Sequence, residues 1–204
     1  LNKKTKHRDI DIVIDTLSSE SILLIKKYDG KKNNFGGYKI NIDGIIIDLW
    51  AIEDTWAIKK MNYINFDLFS ILPSTSFFNS TAIIYSLREQ QLTFKNKFLQ
   101  FIDDNILDIL FEDNPLPELC IVKSYQYYCQ KINLSDKLKK YIIRMFPHVC
   151  HRFDNVQKRH YGEIIYTIEE LKCYYEKIKA EIVNDKNIPT MKFQAEQFLL
   201  FNYC

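Results

Sequence analysis

Two β-branched runs, each interrupted by acid, constrain this chain more than any other feature. The first is Arg8-Asp9-Ile10-Asp11-Ile12-Val13-Ile14, and the second is Ile45-Ile46-Ile47-Asp48-Leu49-Trp50. Residues two apart on a strand point to the same face, so Asp9 and Asp11 are expected to project together. A carboxylate inside an Ile-rich strand is costly unless something compensates it. Asp48 is therefore read as a functional acid rather than a solvated edge residue. Three carboxylates on neighbouring strands make a donor set for two divalent cations, and Mg2+ or Mn2+ suits oxygen ligands of this kind.

The segments around these runs read as alternating short elements. Ile10–Asp15 is a strand, with Asp15 expected as a helix cap. Ser18–Tyr28 is a short helix capped by Ser18 or Ser19, with Ile22, Leu23 and Ile25 as its apolar residues. Asp29 to Asn34 is a turn. Tyr38–Ile42 alternates, Asp43-Gly44 signals a tight turn, and Ile45–Trp50 returns as the second strand of a hairpin. Gly36 and Gly37 precede it. They are read either as a hairpin bulge or as the place where a nucleotide approaches the sheet. Lys39, on the same strand, faces either a phosphate or solvent. Phe77–Tyr85 is β-branched and aromatic enough for a strand, with a start that could be helical, and Leu87–Phe94 reads as a second hairpin with Arg88-Glu89-Gln90-Gln91 near its turn. Beyond Asn114-Pro115-Leu116-Pro117 the period becomes helical. Leu119, Val122, Tyr125, Gln126 and Cys129 share one face, and further helices are expected over Ser135–Met145, Thr167–Asn184 and the tail from Pro189. Strands lead and helices follow, which predicts an α+β chain.

With 204 residues, 47% of them hydrophobic, the chain has enough material for one catalytic domain with a helical extension or for two small domains. Its formal net charge of +2 selects no partner. No apolar run approaches the roughly 20 residues of a membrane span, so no membrane partner is expected. Five scattered cysteines, an odd number, argue against a secreted disulfide framework and for a reduced, cytoplasmic setting. His148, Cys150, His151 and His160 lack the paired spacing of a zinc site.

The order of acid pair, Gly-Gly turn and strand acid resembles the polymerase-β nucleotidyltransferase superfamily. It is most similar to the head domain of poly(A) polymerases and CCA-adding tRNA nucleotidyltransferases. The resemblance spans roughly residues 8 to 145. It implies a nucleotidyltransferase mixed sheet with flanking helices in a head over residues 1–113, followed by a helical neck over 114–204. It also implies transfer of NMP from a nucleoside triphosphate to an RNA or other hydroxyl acceptor. On that reading Asp9 and Asp11 hold both metals, and Asp48 holds the one that activates the acceptor. Phe78-Asn79-Ser80-Thr81-Ala82-Ile83-Ile84-Tyr85 resembles the family's Arg-Asp-Phe-x-x-Asn-Ala segment, which makes Asn79 a nucleotide contact, although Ser74-Thr75-Ser76 stands where Arg-Asp is expected. Asn114-Pro115 through Ser124 resembles the family's Asp-Pro-x-Arg-x-x-Arg segment, which opens the neck helix. Asn114 replaces its acid, and Lys123 stands at a basic, nucleotide-facing position.

The family's Gly-Gly or Gly-Ser phosphate-binding helix should precede Asp9, where only Leu1 to Arg8 stand; this is read as an amino-terminal truncation. A Glu-Asp-x-x-Arg template for choosing C and A is absent, which leaves base selectivity open. Residues 121–160 carry nine Lys and Arg against two Asp, with Tyr125, Tyr127, Tyr128 and Tyr141 interleaved. Such a stretch is either an RNA-binding face, with Lys137, Lys139, Lys140 and Arg144 on phosphates, or a solvated helical surface. Two rivals to an RNA-modifying enzyme follow. One is a non-catalytic nucleotide- or RNA-binding module. The other is a toxin–antitoxin type nucleotidyltransferase acting on a protein or tRNA partner.

Overall fold

The computed structural model of the chain describes residues 9–33, 36–61 and 67–186. The tail from Pro189, expected as a last helix, lies outside the described residues. The chain forms two compact units, Leu1–Ser76 with Ala82–Phe94, and Phe77–Thr81 with Lys95–Cys204.

The first unit is built on β1 (Ile10–Ile14), α1 (Ser19–Lys27), β2 (Lys31–Lys32), β3 (Tyr38–Ile42) and β4 (Ile45–Ala51). The strands form one mixed sheet in the order β1-β4-β3-β2. β1 runs parallel to β4, and the other pairs are antiparallel. Strand alternation divides the sheet into two faces. On one, Ile12 and Ile14 of β1, Ile47 and Leu49 of β4, and Tyr38, Ile40 and Ile42 of β3 pack with Ile25 of α1. That helix is capped as expected, with the Ser18 hydroxyl accepting from Ser21 N–H at 3.1 Å. It buries only Ile25, however. Ile22, Leu23 and Leu24 are exposed, because a nine-residue helix turns only one narrow stripe toward the sheet. Asp15 is no cap; it pairs with Arg88 at 2.9 Å on the surface.

α2 (Trp56–Met61) and α3 (Leu68–Ile71) follow, joined to short 3-10 turns. They contribute to a second small core of Ile52, Ile58 and Leu72, which also takes Val13 from the other face of the sheet. β5 (Ile83–Ser86) and β6 (Gln91–Phe94) form the second expected hairpin. Phe77–Tyr85 is a strand only in its second half, and its first half takes the helical alternative. Asn79–Thr81 is a 3-10 turn, and the chain passes from one unit to the other within this run.

The second unit comprises α4 (Asn96–Asp104), β7 (Ile106–Leu107), α5 (Pro117–Cys129), β8 (Asn133–Leu134), α6 (Asp136–Val149), α7 (Phe153–Tyr161) and α8 (Ile168–Lys186). Its core runs from Phe77 and Phe78 through Ile121, Val122, Leu138, Ile142, Phe146 and Phe153 to Leu171, Tyr174 and Ile178. α5 does not follow the single-face pattern. Cys129 is exposed, whereas Glu118, Cys120, Ile121, Val122 and Ser124 are buried. The physical reason is that α6, α7 and α8 all pack against α5. A helix enclosed on several sides has no solvent stripe to give it a period.

The molecule is thus α+β, with a mixed sheet and flanking helices. Among the described residues, no helix is long and apolar enough to cross a membrane.

Candidate functional site

The acids singled out in the sequence fall on the polar face of the sheet. Pairing in register puts neighbouring residues on the same side, and four charged residues fall into one row. Asp11 of β1 lies opposite Asp48 of β4, Asp48 opposite Lys39 of β3, and Lys39 opposite Lys31 of β2. Two carboxylates thus stand next to two ammonium groups across four strands. Asp9 stands one residue before β1 and is half-buried, whereas Asp11 is exposed. Lys31 belongs to the row but carries no signal in the sequence, because only register assigns it there.

Asp48 is the unusual member. It is 7% exposed, in a place where an acid has to be compensated. One oxygen, Oδ2, meets the Lys39 ammonium at 3.2 Å. The other, Oδ1, is buried and has no hydrogen-bond partner among the described residues. That orphaned oxygen is what a cation site would leave behind. Among the described residues, no three His, Cys, Asp or Glu side chains gather closely enough to hold a metal by themselves. Magnesium commonly takes one or two carboxylates and completes its shell with water and phosphate oxygens. Asp11 and Asp48, with an unsatisfied oxygen, fit that smaller requirement.

Gly36 and Gly37 lie in the loop joining β2 to β3. Gly36 has φ +95°, in the region that favours glycine. Asn33 closes the loop, donating its N–H to Gly37 C=O at 2.8 Å and accepting Gly37 N–H on Oδ1 at 3.0 Å. Gly37 is buried, and a Cβ there would lie 2.2 Å from Trp50 Nε1. The close approach that Gly37 permits is therefore that of the Trp50 indole on β4.

The remaining residues singled out in the sequence lie in the second unit. Asn79 is 1% exposed and its amide is fully engaged. Nδ2 donates to Ile106 C=O at 3.0 Å and to Lys97 C=O at 3.3 Å, and Oδ1 accepts from Asp108 N–H at 2.9 Å. In this arrangement it ties three backbone segments together and does not present its amide to a ligand. Asp108, which belongs to no motif in the sequence, is the partner of that clamp. Its carboxylate accepts from Ser135 Oγ, Ile109 N–H and Lys97 Nζ. Burial works to raise its pKa. The bonds from Ser135, Lys97 and Ile109, with the Lys97 charge, outweigh burial and hold it below the ordinary carboxylate range.

The basic stretch is partly neutralised from outside itself. Arg144 and Lys137 both meet Glu112, at 2.8 and 3.8 Å, and Lys139 meets Glu181 at 2.9 Å. Lys137 also donates to Ile109 C=O at 3.0 Å. Lys140 is exposed, and Lys123 is half-buried in α5.

No protein-family model matches the chain, and no curated protein sequence matches it. Solved structures do. A tRNA-processing enzyme in an apo form superimposes with a TM-score of 0.57 at 14% identity, over 86% of this chain and 48% of that one. A complex of a tRNA-processing enzyme gives 0.56 at 15% identity, over 85% and 48%. The chain therefore spans about half the length of these enzymes. At such identity the likeness is one of fold.

Proposed function

We propose that the chain is the catalytic part of a metal-dependent nucleotidyltransferase that moves NMP from a nucleoside triphosphate to a hydroxyl of RNA. The observation that carries this reading is the register that sets Asp11 beside a buried, half-satisfied Asp48 on the polar face of a mixed sheet. Asp11 and Asp48 would hold Mg2+ or Mn2+, completed by water and phosphate oxygens, while Asp9 stands one residue before the strand and adds negative charge nearby. When bound, the metal lowers the pKa of an attacking hydroxyl and steadies charge at phosphorus. Lys39 and Lys31 supply positive charge on the same face for a polyphosphate. The fold likeness to two enzymes described as tRNA-processing supports RNA as the acceptor. The nucleotidyltransferase fold, with a head to residue 113 and a neck beyond it, belongs to the same proposal.

The test is incorporation of each labelled nucleoside triphosphate into tRNA and single-stranded RNA by the full chain in Mg2+. Incorporation should vanish in Asp48→Asn. Mg2+ with the triphosphate should also raise the melting temperature, and Asp9→Ala with Asp11→Ala should remove that rise. Neither incorporation nor a thermal shift in the native protein would end the reading. A second reading, a nucleotide- or RNA-binding module without catalysis, is favoured by the Lys39 ammonium already seated on Asp48. It predicts a thermal shift without incorporation. Transfer to a protein hydroxyl, as in toxin–antitoxin pairs, predicts labelling of protein and not of RNA.

A further inference from the structure

The position of Lys39 points to a role beyond adding charge to the face. We propose that its ammonium is the resident counter-ion of Asp48, displaced by an incoming divalent cation and then taken up by the polyphosphate that accompanies it. The inference rests on the metal reading of Asp11 and Asp48 and concerns how that site is loaded.

The two partners of the ion pair are unequally held. Asp48 is on a central strand and has 11% of its side chain exposed; Lys39 has 51% exposed on a long, flexible stem. Asp48 cannot leave, because its carboxylate is built into the sheet. Lys39 can swing away without burying a charge. Asp48 lies between Asp11 on one neighbouring strand and Lys39 on the other. A divalent ion shared by Asp48 and Asp11 would confront the ammonium across a single carboxylate, and like charges at that range repel. The orphaned Oδ1 offers the ion its first ligand while Lys39 still holds Oδ2. Once released, Lys39 stands beside Lys31, its in-register neighbour, and the two ammonium groups together suit a chain of phosphates. Metal alone then binds weakly, because it must evict a cation. Metal with polyphosphate binds better, because the evicted cation gains a partner.

The experiment measures Mn2+ binding to the full chain from the loss of the free-ion paramagnetic resonance signal, and binding of inorganic tripolyphosphate at saturating Mg2+ by calorimetry. Lys39→Met should bind Mn2+ more tightly, by about five-fold or more for a unit charge removed at this range, and tripolyphosphate more weakly. Lys39→Arg, which keeps the charge, should bind Mn2+ as the native protein does. Lys31→Met removes the same charge one strand further away and should leave Mn2+ affinity within about two-fold. A residue that merely braces the sheet would not move the two affinities in opposite directions. Unchanged or weakened Mn2+ binding in Lys39→Met, with the native protein binding Mn2+, would overturn the counter-ion role and leave the metal site standing. An equal gain in Lys31→Met would also overturn it, by showing a diffuse charge effect. If neither the native protein nor Lys39→Met takes up Mn2+, the metal reading itself falls and the inference with it.

Discussion

Gly37 lacks a side chain where the Trp50 indole needs the room. A Cβ at 2.2 Å from Nε1 and 2.4 Å from Cδ1 forces the indole or the loop to shift. Gly37→Ala should therefore destabilise the first unit by about 1–3 kcal/mol. In combination with Trp50→Ala the loss should be smaller than the sum of the two single losses, as read by urea denaturation followed by circular dichroism. Asp108 allows a test in pH. A carboxylate whose folded pKa lies below its unfolded value adds stability above the unfolded value, and that stability is lost as pH falls through the folded one. Asp108→Asn should consequently be less stable than the native protein at pH 6. The gap should narrow as pH drops below about 4, the ordinary range of an Asp side chain. A gap constant across that range would mean that the charge on Asp108 contributes nothing.

Elements follow from local chemistry where one side of them is wet. β3 alternates because Tyr38, Ile40 and Ile42 pack on the face of Ile25 while Lys39 and Asn41 stand exposed on the other. α6 begins where it does because Ser135 caps it, with Oγ accepting from Leu138 N–H at 3.1 Å. The same hydroxyl donates to Asp108, so the start of the helix is joined to the segment that Asn79 clamps. Ser135→Ala removes both bonds and should cost about 1–3 kcal/mol, while Ser135→Thr should retain most of the stability. Equal losses for both substitutions would show that retaining the hydroxyl does not rescue the site, and would sink the role given to its two bonds. α5 illustrates the opposite case: enclosed by other helices, it has no periodic face for a sequence to display.

Across the whole molecule, the charge available to a nucleic acid is smaller than a count along the chain suggests. Glu112, Glu118 and Glu181 lie outside the basic stretch of 121–160, yet they pair with Lys137, Arg144, Arg152 and Lys139. Lys140, Lys158 and Arg159 are exposed and have no acid within ion-pair distance among the described residues. If RNA binds this unit, replacing those three with Ala should flatten the dependence of log affinity on log salt. The slope should fall by about 0.7 for each phosphate of a single strand that is no longer neutralised. Replacing Lys137, Lys139 and Arg144 should change the slope less, since their charge is already matched. Fluorescence anisotropy with single-stranded RNA at several salt concentrations separates the two sets. A larger effect from the paired set would show that RNA displaces Glu112 and Glu181.

Several local elements were legible in the residues alone. The β-branched runs, the Asp43-Gly44 turn and the Ser18 cap are short-range features, and the first hairpin turns at Asp43-Gly44 as expected. The spacing of Asp9 and Asp11 and the isolation of Asp48 in an apolar run marked acids worth attention. What stands beside those acids was fixed by the folded arrangement. The parallel pairing of β1 with β4 sets Asp11 next to Asp48, and the short β2 adds Lys31 to the same row. Packing turned Asn79 from a suggested ligand contact into a buried clamp, and it brought Glu112 to two cations more than 20 positions away in the chain. Turns and caps depend on neighbours within a few residues, whereas register, burial and ion pairing are set by segments that meet only once the chain has folded.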